Sequence, residues 1–132
     1  MKNTIITFFM FKGRAEEAMH FYISLFDNSK IKKITRYKKD EAGKEGSVMQ
    51  AIFSLNGQDY MCIDSAVDHD FDFTPAISLY VNCTSEKEIN ALFSKLSDNA
   101  KVYMKLKSYG FSKKFTWLED KFGVSWQLNL EQ

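Results

Sequence analysis

Two periods of apolar residues run along this chain, and they alternate in a fixed order. Ile5–Phe11 is an apolar run around Thr7 and predicts a strand. Gly13 ends it, and Glu16 and Glu17 favour the positive end of a following helix. That helix places Ala15, Ala18, Met19, Tyr22, Leu25 and Phe26 on one face at helical spacing. Ile31–Tyr37 alternates as a strand with outward lysines, and a polar loop covers Lys38–Ser47. Val48–Leu55 and Gln58–Asp64 flank Asn56-Gly57, a dipeptide suited to a tight hairpin turn with positive φ at both positions. An acidic loop, Ser65–Thr74, runs to Pro75, the only proline.

The pattern then repeats. Ala76–Asn82 is a strand, and Ser85-x-x-Glu88 is a capping box opening a helix with Ile89, Leu92, Phe93 and Leu96 on one face. A strand near Lys101–Met104, a basic loop at Lys105–Lys114, and a hairpin of Phe115–Glu119 and Val124–Leu130 around Asp120–Gly123 complete the series. Thr7 and Ser78 are 71 positions apart, whereas the hairpin glycines Gly57 and Gly123 are 66 apart, so the second copy has a shorter loop. The expectation is an α+β chain, 1–132, of two βαβββ modules, 1–74 and 75–132, related by a pseudo-two-fold and forming a curved mixed sheet with a concave cup. A cup is a place to bind a small molecule.

Composition narrows the classes. A formal net charge of +1 gives no global pull toward nucleic acid or a membrane surface. No apolar run approaches the roughly 20 residues needed to span a bilayer. The strand pattern begins by about Thr4, which leaves no room for a signal peptide. Cys62 and Cys83 lie inside strand patterns and read as reduced, buried thiols of a cytoplasmic protein. Aromatic residues make up 15% of the chain, twelve of them Phe, so a substantial aromatic surface needs covering.

Four segments together resemble one family. They are Phe9-Met10-Phe11-x-Gly13-x-Ala15-Glu16-Glu17-Ala18-Met19-x-Phe21-Tyr22, Phe53-x-Leu55-x-Gly57-Gln58, Ala76-Ile77-Ser78-Leu79-x-Val81-x-Cys83, and Trp117-Leu118-x-Asp120-Lys121-Phe122-Gly123-Val124-Ser125-Trp126-Gln127. They are similar to the PhnB-like branch of the vicinal-oxygen-chelate superfamily, which includes glyoxalase I, extradiol dioxygenases and bleomycin-resistance proteins. The resemblance implies paired βαβββ modules in a homodimer, with bleomycin-resistance proteins as a precedent for binding without catalysis. Proteins of the branch often carry the label 3-demethylubiquinone 3-methyltransferase. The chain has no glycine-rich strand-to-helix turn with a downstream acid to hold a nucleoside cofactor.

The resemblance also implies four metal-ligand positions, which carry over onto Thr7, Met61, Ser78 and Gln127. Iron, nickel and zinc favour imidazole, carboxylate or thiolate, so a hydroxyl, a thioether and an amide make a poor set. His20 on the first helix and His69 in the acidic loop have no partner histidine at ligand spacing. Asp68, Asp70 and Asp72 read as charged loop surface, and Asp59 and Asp64 as solvated strand ends. No metal and no cofactor are expected.

Strand alternation then assigns the cup. Thr7 and Phe9 are expected on the cup face, with Ile6, Phe8 and Met10 toward the helix. Ser78, Tyr80 and Asn82 share the cup face in the second half. Ile52 pairs with Met61, and Gln50 with Ile63; by the same offset, Leu118 meets Gln127 and Thr116 meets Asn129, leaving Trp117 and Trp126 toward the helix. The expected pocket is Thr7, Phe9, Ile52, Met61, Ile63, Ser78, Tyr80, Asn82, Leu118, Gln127 and Asn129. Its make-up suits an apolar or aromatic small molecule. The basic residues Lys30, Lys32, Lys33, Arg36, Lys38 and Lys39 read as guards of a strand edge. Lys105, Lys107, Lys113 and Lys114 surround Tyr109-Gly110-Phe111 in a surface loop that could serve as a lid. The leading expectation is a metal-free binding protein, homodimeric, without nucleic-acid or membrane partners. The alternatives are an enzyme in which Gln127 and Tyr80 polarise a ligand oxygen, and a structural module whose cup is closed.

Overall fold

Alternating residues become strands and the two periodic faces become helices, in two matching series. The computed structural model describes residues 3–131. The chain divides into two units, Met1–His69 and Asp70–Gln132. The first contains β1 (Thr7–Phe11), α1 (Ala15–Leu25), β2 (Lys30–Arg36), β3 (Val48–Leu55) and β4 (Gln58–Asp64). The second contains β5 (Ser78–Cys83), α2 (Glu86–Leu96), β6 (Lys101–Tyr109), β7 (Ser112–Glu119) and β8 (Ser125–Leu130). The sheets have the same order, β1-β4-β3-β2 and β5-β8-β7-β6, with one parallel pair each, β1 with β4 and β5 with β8. Each unit is therefore a βαβββ module. Among the described residues no helix is long and apolar enough to cross a membrane.

The two helices start differently. In the second unit the Ser85 hydroxyl accepts from the Glu88 N–H at 3.1 Å, while Glu88 Oε1 accepts from the Thr84 N–H at 2.7 Å. The first bond is the forward half of the capping box that the sequence predicts; the returning Glu88 carboxylate takes the N–H of Thr84, one residue before the cap, in place of that of Ser85. In the first unit Arg14 makes no side-chain cap bond. Asp64, at the far end of β4, caps the helix instead. Its Oδ1 accepts from the N–H groups of Gly13 and Ala15, both at 2.9 Å, and its Oδ2 accepts from Val48 N–H at 3.0 Å. Asp64 is 3% exposed, so it is a buried structural acceptor rather than the solvated strand end expected.

Asp64 stands opposite Phe11, and its bonds to the start of α1 place that row of the sheet beneath the helix. Phe9, Phe11, Ala51, Phe53 and Cys62 share the row's face and are buried. The expected faces of β1 are thus reversed: Thr7 and Phe9 lie on the helix side, while Phe8 and Met10 lie on the open side. The cause is the connection to the helix. The helices are 71 positions apart, from Ala15 to Glu86, but paired strand positions are 72 apart: Phe8 opposes Met61 as Tyr80 opposes Gln127. The first unit inserts one more residue between strand and helix, and Gly13 absorbs it at φ 95°.

A second reversal occurs in the final hairpin. Leu118 opposes Trp126 and Trp117 opposes Gln127, with Phe115 opposite Asn129. Leu118 and Trp126 are therefore core, and Trp117 lies on the open face. Five residues, Asp120–Val124, join β7 to β8, whereas two, Asn56-Gly57, join β3 to β4. The longer connection shifts the pairing by one, and a one-residue shift exchanges faces.

The basic segment Lys105–Lys114 is a β-hairpin rather than the irregular loop expected. β6 extends to Tyr109, β7 begins at Ser112, and Gly110-Phe111 turns between them. Its aromatic residues hold it together: Tyr109 stacks on Phe111 at 5.8 Å, and Phe111 meets Phe115 edge-on at 5.0 Å. The Ser112 hydroxyl donates within the sheet, 2.7 Å from Lys114 O and 3.0 Å from Leu130 O.

Candidate functional site

Each sheet has a face turned away from its helix, and the two faces differ in chemistry. In the first unit it carries Phe8 and Met10 from β1, Gln50 and Ile52 from β3, and Met61 and Ile63 from β4. Phe8 is 50% exposed. The one side-chain hydrogen bond shown among these residues is a weak contact from Gln50 Nε2 to Met61 Sδ at 3.9 Å. This surface can supply dispersion and little direction.

The open face of the second unit is built in rows across three strands. The first row is Ser78, Ser125 and Glu119; the second is Tyr80, Gln127 and Trp117; the third is Asn82, Asn129 and Phe115. Side chains in neighbouring rows tie one another down. The Trp117 indole N–H donates to Ser125 Oγ at 3.0 Å, and the hydroxyls of Ser125 and Ser78 are 2.7 Å apart. The Gln127 amide Nε2 donates to Ser78 Oγ at 3.3 Å. Gln127 is therefore an oriented amide flanked by two aromatic side chains. Tyr103 from β6 lies 4.8 Å from Trp117, ring to ring, and donates its hydroxyl to Glu119 Oε1 at 2.8 Å. That bond, with some burial and the Glu119 charge, holds the Tyr103 phenol above its ordinary pKa of 10.0.

In the third row Asn129 Nδ2 donates to Asn82 Oδ1 at 3.4 Å, while Asn129 Oδ1 is buried with no hydrogen-bond partner. Leaving such an acceptor unsatisfied costs about 1–3 kcal/mol. Phe115, opposite Asn129, joins Tyr80 at 6.4 Å and Phe111 at 5.0 Å in an aromatic cluster.

The expected pocket residues thus divide. Ile52, Met61 and Ile63 lie on the first open face; Ser78, Tyr80, Asn82, Gln127 and Asn129 lie on the second. Phe9 and Leu118 are buried on the helix sides of their sheets, and Thr7 shares the face of Phe9 but is exposed. Phe8, Met10 and Trp117, expected toward the helices, lie on the open faces instead, and Phe115 joins Trp117 there. The signals that identify them are the extra residue at Gly13 and the five-residue Asp120–Val124 connection.

The side chains at the four carried-over metal positions do not fit a divalent ion. Thr7 faces the helix side, and Phe8 takes the open-face place opposite Met61. Ser78 and Gln127 engage each other, and none of the four is an imidazole, carboxylate or thiolate. Among the described residues no three His, Cys, Asp or Glu side chains gather to hold a metal. His20 lies on α1 beside Glu16 at 3.6 Å. The thiols are also poor ligands: burial, with help from Asp64, pushes Cys62 up to about 12, and burial, with help from Glu88, pushes Cys83 up to about 11. A nucleoside cofactor fares no better, since the strand-to-helix turns Lys12-Gly13-Arg14 and Thr84-Ser85 are short and both helix starts are capped by the chain itself.

Comparison with known proteins agrees with this architecture. A family model described as 3-demethylubiquinone-9 3-methyltransferase matches residues 3–129. The structure of a PhnB protein from Bacillus cereus shares 59% sequence identity with the chain over 97% of it and 99% of that protein, at a TM-score of 0.95. Protein PA1353 from Pseudomonas aeruginosa has the same fold at 23% identity, covering 99% of both chains, with a TM-score of 0.84. A glyoxylase/bleomycin resistance protein/dioxygenase domain from Frankia sp. EAN1pec shares the fold at 10% identity and a TM-score of 0.68, over 100% of this chain and 93% of that one. No functionally curated protein matches. The chain belongs to the family described as 3-demethylubiquinone-9 3-methyltransferase, the PhnB-like branch of the vicinal-oxygen-chelate superfamily.

Proposed function

We propose that this protein binds a small, largely apolar or aromatic molecule without a resident metal, and that the molecule lies on the open face of the second unit. The observation that carries this reading is the row Tyr80, Gln127 and Trp117: an amide oriented by Ser78 stands between two aromatic side chains. Aromatic faces give a flat ligand area to stack on, and an oriented amide gives it a direction. Methyl transfer finds no support in these residues, which offer neither a nucleoside site nor side chains suited to hold a metal. A homodimer and a cytoplasmic setting belong to the same reading. Exposed Phe8, Ile77 and Phe111 favour cover by a second copy, and two free, buried cysteines suit a reducing compartment.

The two tryptophans provide the test. Trp117 is on the open face, while the Trp126 indole is buried against Asp120. Titrating aromatic fragments into labelled protein should shift the Trp117 indole N–H signal and leave that of Trp126 in place, and Tyr80→Ala should weaken binding. Native mass spectrometry of protein purified without chelator should show no stoichiometric metal. Fragments that move neither signal overturn the binding reading. Tightly bound nickel or zinc, lost on Gln127→Ala, overturns the metal-free part.

A further inference from the structure

Asn129 is 6% exposed, and its side-chain oxygen is buried without a partner although the rest of the amide is engaged. Two positions along β8, about 7 Å away, Gln127 donates its amide nitrogen to Ser78, which leaves the Gln127 oxygen turned from that bond. Two amide oxygens therefore stand in neighbouring rows of one face, beside Tyr80, Phe115 and Trp117. A buried acceptor without a donor is uncommon, because nearly all buried polar atoms are paired. We propose that Asn129 is the specificity-determining residue of this face, and that it selects aromatic ligands carrying an N–H or O–H donor, such as indoles, phenols or anilines. The inference rests on the binding reading above and names the ligand class for it.

Asn82 sets the geometry. Its oxygen accepts from Asn129 Nδ2, so the Asn129 oxygen points the other way. Phe115, the register partner of Asn129, packs with Tyr80 and Phe111, so the aromatic cluster adjoins that oxygen. Tyr80 and Phe111, 53% and 64% exposed, are the members with room to move. The same site disfavours ligands that present a carbonyl or an ether there, since two acceptors would then face each other in a water-poor environment.

Matched probes decide the matter on the full-length protein. Indole and 1-methylindole differ by one donor and have nearly the same shape. The expected result is that the natural protein binds indole about tenfold more tightly, a ratio in the range expected for one buried hydrogen bond. Asn129→Leu should bind both probes with equal affinity. Asn82→Asp, at an exposed position, offers only acceptors to Asn129 and should keep the preference for indole. That variant carries the test if Asn129→Leu does not fold. Equal binding of both probes by the natural protein overturns the selection but leaves the binding reading standing. A preference that Asn129→Leu retains, or that Asn82→Asp abolishes, also overturns it. Binding of neither probe, with no shift of the Trp117 signal by any aromatic fragment, overturns both.

Discussion

The Asp120 carboxylate accepts the indole N–H of Trp126 at 2.9 Å, and this contact sets which way the last two strands face each other. Asp120 Oδ1 also accepts from the N–H groups of Phe122 and Val124, so one buried carboxylate organises the whole five-residue connection and anchors the first core side chain beyond it. With Trp126 turned inward, its neighbour Gln127 must turn outward. The orientation of the proposed ligand-binding amide thus depends on a turn residue that touches no ligand.

Asp120→Ala should therefore destabilise the protein by about 3 kcal/mol, since it leaves a buried indole N–H and two turn N–H groups without their acceptor. Trp126→Phe removes one of these bonds together with packing. Urea unfolding of both single variants and the double variant should give a coupling energy above roughly 0.5 kcal/mol, the sign of a direct interaction. Additive effects would show that the turn holds its shape without the Asp120–Trp126 bond.

The first unit has a corresponding device, and it predicts an unequal pair of helix caps. Gly13 sits at φ 95°, so Gly13→Ala should cost about 1–2 kcal/mol from backbone strain. Ser85→Ala at the other helix should cost about 1 kcal/mol, an ordinary cap loss. Asp64→Ala should exceed both, because three backbone N–H groups lose one buried acceptor. Thermal and urea unfolding rank the three variants; Asp64→Ala as the mildest would show that its bonds contribute little.

These two carboxylates also explain what could and could not be read from the chain. The bounds of β3 and β4 follow directly from Asn56-Gly57, because that turn admits few alternatives, and the start of α2 follows from Ser85 and Glu88. Each of these signals is local. The face of β1 depends on Asp64, some fifty residues from Gly13, and the face of β8 depends on Asp120 and the length of its loop. Strict alternation cannot see either. Ile52, Met61 and Ile63 kept their expected face because a two-residue turn fixes their register. Leu118 faces the core because the five-residue connection shifts its pairing by one from the offset that a two-residue turn gives. Only the second half of β6, beyond the expected strand near Lys101–Met104, is hidden, and for another reason: lysines at 105 and 107 resemble a loop, although an edge strand tolerates them well.

The buried thiols carry a pH prediction. Cys62 and Cys83 titrate in the fold near 12 and 11, both above their ordinary value of 9.0. The folded state therefore holds these protons more tightly than the unfolded chain does. Their contribution is intact below pH 9 and is lost as pH rises through 11 and 12, at up to about 1.4 kcal/mol per pH unit for each thiol. Urea unfolding between pH 8 and 10.5 should show stability falling above pH 9, with a shallower fall in Cys62→Val. At pH 8 a thiol reagent should label neither cysteine until the protein unfolds. Rapid labelling of the native protein would show that one of them is reachable.

The reversed face of β1 has a direct chemical readout. Phe8 and Met61 are register partners on the open side of the first sheet, whereas Thr7 is on the helix side. Replacing Phe8→His and Met61→Glu together should place an imidazole and a carboxylate side by side on an exposed surface, where both can reach one ion. Nickel or zinc affinity should then appear by calorimetry, at the modest level of two ligands. Replacing Thr7→His and Met61→Glu puts the same two ligands on opposite faces, and this pair should bind no better than Met61→Glu alone. The comparison isolates the face from the chemistry, because the two double variants carry the same added groups one residue apart. Gain of affinity in the Thr7 pair, with none in the Phe8 pair, would restore the face that simple alternation assigns and move Phe8 back beneath the helix.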